Sequence, residues 1–189
     1  MRSCSLLFFF CLLLFGCVIT SSDRANLNVS HYNTEVKNYH SVLIVYSGTS
    51  VDRVIFDNVA NELMNKFQKL NVVVYNRFVT DAAIISAKNL TVLAKEVSAE
   101  AVFAIVPMKT ARVAEYYSYH PGFETRKAKA GQIASLELYD VKDFQKPVWG
   151  ARFNIYVTVD HKRSYKKMAS RIIASLQQNA IWQNRKAVK

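Results

Sequence analysis

Five apolar residues in a row, Val42-Leu43-Ile44-Val45-Tyr46, end at Ser47-Gly48 and are followed by Val51, Ile55, Val59, Leu63 and Phe67 at every fourth position. An unbroken apolar run lacks the polar face of a half-exposed strand, so it predicts a central strand buried on both sides. The fourfold spacing predicts an amphipathic helix over 51–70. Val54, Ala60, Met64 and Leu70 widen its apolar stripe, Thr49 or Ser50 serves as N-cap, and Asp52 sits in the first turn. A buried strand leading straight into a helix restricts the chain to α/β architectures, because parallel neighbours need a crossover between them. The same units recur as Val72-Val73-Val74-Tyr75, then a helical stripe at Leu90, Leu93, Ala94 and Val97, then Ala101 to Val106. The expectation is a parallel β-α-β-α-β core with right-handed crossovers.

The pattern changes after residue 130. Ile133, Ser135, Glu137 and Tyr139 alternate with Ala134, Leu136 and Leu138, and a second alternation runs from Val148 to Val159 around Trp149, Ala151, Phe153, Ile155 and Val157. Turn-forming and charged residues from Asp140 to Pro147 join the two, which predicts an antiparallel hairpin added to the parallel core. A closing helix gathers Tyr165, Met168, Ala169, Ile172, Ile173 and Leu176 on one face, and Lys162, Arg163, Lys166, Lys167 and Arg171 on the other. The expected fold class is therefore α/β: a mixed sheet with a parallel β-α-β-α-β core, an antiparallel hairpin and a C-terminal helix. It occupies 41–182 as one domain, followed by a basic tail over 183–189. Residues 18–40 are polar and are expected to form a tether and then a first extended segment. Internal repeats and low-complexity tracts are absent.

The chain opens MRSCSLLFFFCLLLFGC, one basic residue ahead of a short apolar run, and continues into polar TSSDRANLN. That is the layout of a secretory signal peptide over 1–16, too short for a comfortable membrane span and without a basic stop-transfer cluster. Cys4 and Cys11 fall inside it. Only Cys17 remains afterwards, so an exported domain has no second thiol for an internal disulfide. Leu14-Phe15-Gly16-Cys17 resembles the lipobox of bacterial lipoproteins, with bulky Phe15 departing from the usual smaller residue. The resemblance implies that Cys17 becomes the acylated first residue, carrying diacylglycerol and a chain such as palmitate, and that 17–40 holds the lipidated cysteine and its tether. An ordinary cleaved signal on a secreted soluble domain and an uncleaved anchor are the alternatives. Asn28-Val29-Ser30 and Asn89-Leu90-Thr91 fit glycosylation sequons, which matter only in a eukaryotic secretory route. The order of elements, with LYDVKDFQKPVWGARFNI as the hairpin, resembles small envelope lipoproteins with an α/β domain. More loosely it is similar to domains of the penicillin-binding-protein activator LpoB, the curli secretion lipoprotein CsgG and the amino-terminal part of TolB. The location this implies is the cell envelope, on the periplasmic face of the outer membrane.

Catalytic patterns are sparse. Ser47-Gly48-Thr49-Ser50 lies between a strand and a helix start, yet a single glycine makes neither a dinucleotide fingerprint nor a phosphate loop, and a turn with an N-cap accounts for it. His31, His40, His120 and His161 have no cysteine, histidine or carboxylate at metal-ligand spacing, and a G-x-S-x-G elbow is missing. No cofactor and no metal are expected. Charge says more: the formal balance is +11, and +10 once Arg2 leaves with the signal. A basic domain held at a membrane attracts anionic headgroups, envelope polymers or acidic protein faces, whereas nucleic acid is excluded by compartment. Two stretches are candidate binding surfaces. Tyr116, Tyr117 and Tyr119, within an expected loop from Glu115 to Phe123, precede Arg126 and Lys127, and the closing helix supplies Lys162, Arg163, Lys166 and Lys167. The expected function is a non-enzymatic binding or assembly accessory of the envelope. The rival is a hydrolase or transferase acting on an envelope polymer.

Overall fold

The computed structural model describes residues 24–31, 37–120, 123–158, 162–179 and 181–182. The expected signal peptide, Cys17 and the tail 183–189 lie outside them.

The apolar run forms strand β2 (Ser41–Ser47), in which Val42 to Tyr46 are all buried. It leads into helix α1 (Ser50–Gln68), capped by Thr49, whose side chain accepts from the Asp52 backbone while the Asp52 carboxylate takes the Thr49 backbone N–H. This reciprocal arrangement satisfies two otherwise orphaned donors. Ile55, Phe56, Val59, Ala60, Leu63 and Phe67 turn to the sheet, and burying each large apolar side chain is worth roughly 1.5–3 kcal/mol. The buried face begins one turn later than the sequence pattern implies, because Val51 and Val54 stand 36% and 46% exposed.

Strand β3 (Val73–Val79), a 3-10 turn (Ala82–Ile84) and helix α2 (Ala87–Glu96) follow. Then come β4 (Ala101–His120), β5 (Phe123–Asp140), β6 (Trp149–Thr158) and helix α3 (Lys162–Gln178). Strand β1 (Arg24–His31) joins the same six-stranded sheet, whose order is β1-β6-β5-β4-β2-β3. β2 pairs in parallel with β3 and β4, while the β4–β5, β5–β6 and β6–β1 pairs are antiparallel. The fold is thus the expected mixed α/β sheet, with one addition. Sheet membership starts at Arg24, inside the stretch 18–40 expected to hold a tether and then a first extended segment, and not at Ser41. Ala25, Leu27 and Val29 alternate with Asn26, Asn28 and Ser30, the period of an edge strand with one apolar face.

α1 and α3 cover one face of the sheet, closing over Ile44, Tyr46, Phe103, Leu136, Trp149 and Phe153. Trp149 stacks on Phe103 at 5.8 Å and its indole N–H donates to Ser175 Oγ at 3.2 Å. α2 covers part of the other face, with Leu90 and Ala94 in one cluster with Leu43 and Val45 of β2, Val79 of β3 and Val102 of β4. Farther along, that face carries polar residues, Ser135 and Glu137 on β5 and Arg152 and Asn154 on β6.

The stretch Glu115–Phe123, expected as a loop, is strand up to His120 and again from Phe123. β4 loses its β2 neighbour after Ile105, and β5 meets β6 only from Lys129 onward. Past both limits β4 and β5 continue as a ribbon, paired from Arg112↔Gly131 to His120↔Phe123 and two-stranded from Glu115↔Ala128 to the turn. Pro107, which lacks an N–H, stands just where the β2 partner ends, a position where an edge tolerates it. Register shifts on either side of Lys109 then mark the departure from the sheet, and the buried Gln132 amide donates to the Lys109 carbonyl at 2.8 Å.

Candidate functional site

The closing helix folds with its stripe inward, as its spacing dictates: Tyr165, Met168, Ala169, Ile172 and Leu176 are buried, and Lys162, Arg163, Lys166, Lys167 and Arg171 are exposed. α1 lies beside it and adds two cations that sequence spacing alone does not connect to it. Lys66 and Lys69, from the last turn and C-cap of α1, line an open groove of about 550 Å³ together with Glu62, Asn65, Gln68 and Lys166. Among the described residues, none of Lys66, Lys69, Lys162, Arg163, Lys166 and Lys167 has an ion-pair partner. Cationic heads on buried aliphatic stems stay in water and remain available to a ligand. What the arrangement can do chemically is hold an anion by charge, since the groove sets three cations, Lys66, Lys69 and Lys166, beside a single carboxylate, Glu62.

The ribbon brings together the other predicted group. Tyr116 stands across from Lys127, Tyr117 across from Arg126 and Tyr119 across from Glu124. Tyrosines and cations separated by about ten residues in sequence thus alternate along one hairpin. The structure does not merge this group with the helical cations. The start of α3 comes nearest the ribbon, since Thr158, four residues before Lys162, pairs with Lys129, whereas Lys69 at the end of α1 lies four residues before Val73, whose N–H donates to the His40 carbonyl at the other end of the sheet.

Two further constellations carry charge. At the opposite end of the sheet, Lys37, Tyr39, His40, Glu100, Asp140 and Lys142 surround a cleft of about 540 Å³. Its groups are committed to one another: Lys37 Nζ lies 3.5 Å from Asp140 Oδ2, the His40 backbone donates to Glu100 Oε2 at 2.6 Å, and His40 Nδ1 lies 3.2 Å from the same oxygen. The Lys142 backbone donates to Asp140 Oδ1 at 2.9 Å. The His40 backbone bond, more than the imidazole, holds the Glu100 carboxyl below its ordinary range. Burial, reinforced by the Asp140 charge, pushes the Tyr39 phenol far up and keeps it protonated. This is a clamp that ties residues 37–40 to the start of β4 and the end of β5. Among the described residues no three histidine, cysteine or acidic side chains converge as metal ligands.

The second is the turn after β2. Gly48 has φ 148°, and a Cβ there would meet Asp52 Cβ at 2.5 Å, so glycine is required. The Asp52 carboxylate takes the Thr49 backbone N–H and hydroxyl, each at 2.8 Å, in the place where a helix N-terminus would receive an external anion. The turn and cap expected from the sequence are what form.

No protein-family model matches the chain, and no curated protein matches it. Among solved structures it is similar to the PelC dodecamer from Paraburkholderia phytofirmans, at 15% identity over 85% of this chain and 99% of that one, with a TM-score of 0.45. A neuraminyllactose-binding hemagglutinin homologue from Helicobacter pylori gives 12% identity, 80% and 92% coverage and a TM-score of 0.39. A minor lipoprotein from Acinetobacter baumannii gives 8%, 76%, 97% and 0.33. At such distances no residue role and no activity transfers. Among the described residues no helix is long and apolar enough to cross a membrane.

Proposed function

We propose that this chain is a lipid-anchored envelope protein, held by acylated Cys17, that acts without catalysis as a binding or assembly accessory for an anionic envelope polymer. The observation that carries the reading is the set of cations Lys66, Lys69, Lys162, Arg163, Lys166 and Lys167 on α1 and α3, which have no ion-pair partner among the described residues. Exposed charges contribute little to folding, so a surface of one sign left uncompensated is better explained by what it attracts. The mutual ion pairs of the His40–Glu100 cleft support a structural clamp there over a hydrolytic centre.

The test is co-sedimentation with cell-wall fragments across a salt series. Lys166→Glu with Lys167→Glu is expected to leave the denaturation midpoint nearly unchanged and to weaken binding about tenfold or more at low salt, a loss that shrinks as screening sets in over a Debye length of roughly 10 Å at 0.1 M. Equal binding by the parent and the double variant at every salt concentration would leave the cations with no role beyond solubility.

A further inference from the structure

The topology fixes which end of the domain faces its anchor. β1 runs antiparallel to β6, so the chain enters the sheet at Arg24, opposite Tyr156, and His31 lies at the far end opposite Trp149. Tyr156 pairs with Gly131, and Gly131 with Arg112, so Arg24, Tyr156, Gly131 and Arg112 form one row across the sheet. The ribbon of β4 and β5 projects from that row, on the side from which the chain arrives. We infer that the tip of this ribbon rests in the headgroup layer of the membrane that holds Cys17, so that the domain is oriented by two attachments and not by a flexible tether alone.

The lengths agree. Cys17 stands seven residues before Arg24, a reach of at most about 25 Å when fully extended. From the Arg112 row to the tip at His120 the ribbon runs eight residues, roughly 26 Å at the rise of an antiparallel strand. A ribbon as long as the greatest reach of the tether, projecting at the end of the sheet where Arg24 lies, meets the bilayer surface even with the tether stretched toward it. Any slack brings them closer. The residue types at the tip suit that depth: Tyr116, Tyr117, Tyr119 and Phe123 belong to the classes that settle at a membrane–water interface, and Arg126, Lys127 and Lys129 follow on the returning strand.

The ribbon does not span the bilayer. A lipid-facing strand needs apolar residues at every second position. Here one set of alternate cross-strand pairs holds Glu115↔Ala128, Tyr117↔Arg126 and Tyr119↔Glu124, and the other holds Arg112↔Gly131, Ala114↔Lys129 and Tyr116↔Lys127. Neither set is free of charge. A two-stranded ribbon is also marginal by itself in water, and an interface that takes up its aromatic tip supplies the missing neighbour.

The inference rests on acylation of Cys17, and the experiment separates the two. The native lipidated protein is reconstituted in phosphatidylethanolamine–phosphatidylglycerol vesicles with a single environment-sensitive label at Ser118→Cys, near the ribbon tip, or at Lys146→Cys, in the connection at the opposite end between β5 and β6. Mass spectrometry of the same sample reports the acyl chains. The label at 118 is expected to be quenched several-fold more by headgroup-labelled lipid than the label at 146, and to be shielded from aqueous iodide. An acylated protein in which both labels are equally open to iodide, or in which 146 is the shielded one, overturns the orientation alone. An unacylated Cys17 removes the premise and overturns both readings.

Discussion

One strand of this molecule lives in two environments. Over Ala101 to Ile105, β4 has β2 on one side, β5 on the other and helices on both faces, and all five side chains are fully buried and apolar. Over Arg112 to His120 the same strand has β5 alone and carries Arg112, Glu115, three tyrosines and His120. The backbone conformation continues through both. What changes is the number of neighbours, and the sequence follows the neighbours and not the strand. Strand length and strand burial are therefore separate quantities, and only the second demands an apolar pattern.

The most damaging way to break this comparison is to hollow the packed half. Leu63→Ala, under the sheet on α1, is expected to cost about 2–5 kcal/mol in a denaturant titration, because the side chain is wholly buried and the cavity collapses only in part. A stability equal to the parent's would mean that the α1 register is wrong.

A smaller effect sharpens the comparison at the start of β4. The Glu100 carboxyl titrates below its ordinary value in the folded protein, so its stabilising effect is present above the usual glutamate range near pH 4.3 and fades as pH falls through the folded value. Glu100→Gln is expected to melt below the parent at pH 6, with the gap narrowing toward pH 3. A gap that is constant or widens on acidification would contradict the His40 contact. The smallest effect belongs to the ribbon: Tyr117→Ala should shift the unfolding free energy by no more than about 0.5 kcal/mol, since β5 is the one strand paired with β4 there among the described residues. A shift as large as that of Leu63→Ala would require a partner for the ribbon within this chain.

The parallel core was legible in the sequence because burial on two faces writes itself as an unbroken run, and burial on one helical face as a fourfold stripe. Val42–Tyr46, Ile55–Phe67 and the inward row of α3 follow those two signals directly. The ribbon was not legible for the reason that makes it unusual: with a single neighbour, Tyr116 to His120 need no apolar alternation, and the Pro121-Gly122 pair read as loop chemistry. β1 did carry an alternating signal, but a polar edge strand of eight residues resembles a tether when its partner is far along the chain. The groove beside Lys166 was invisible for a third reason. Lys66 and Lys69 reach it only through the packing of α1 on α3, which no local pattern encodes.

Among the described residues β1 is the first strand, yet it lies at the outer edge of the sheet and its sole sheet partner is the last strand, β6. Joining Arg24 to Tyr156 closes a loop of more than a hundred residues, and long-range pairings of that kind are slow because the chain entropy is lost before any contact rewards it. In synthesis, which proceeds from the N-terminus, β1 emerges before the other five strands and waits for them. The parallel core can assemble around β2 without it, whereas β1 has nothing to pair with until β6 is laid against β5. β1 is thus the last piece of sheet to lock, so its attachment is a kinetic marker that the rest of the domain is already folded.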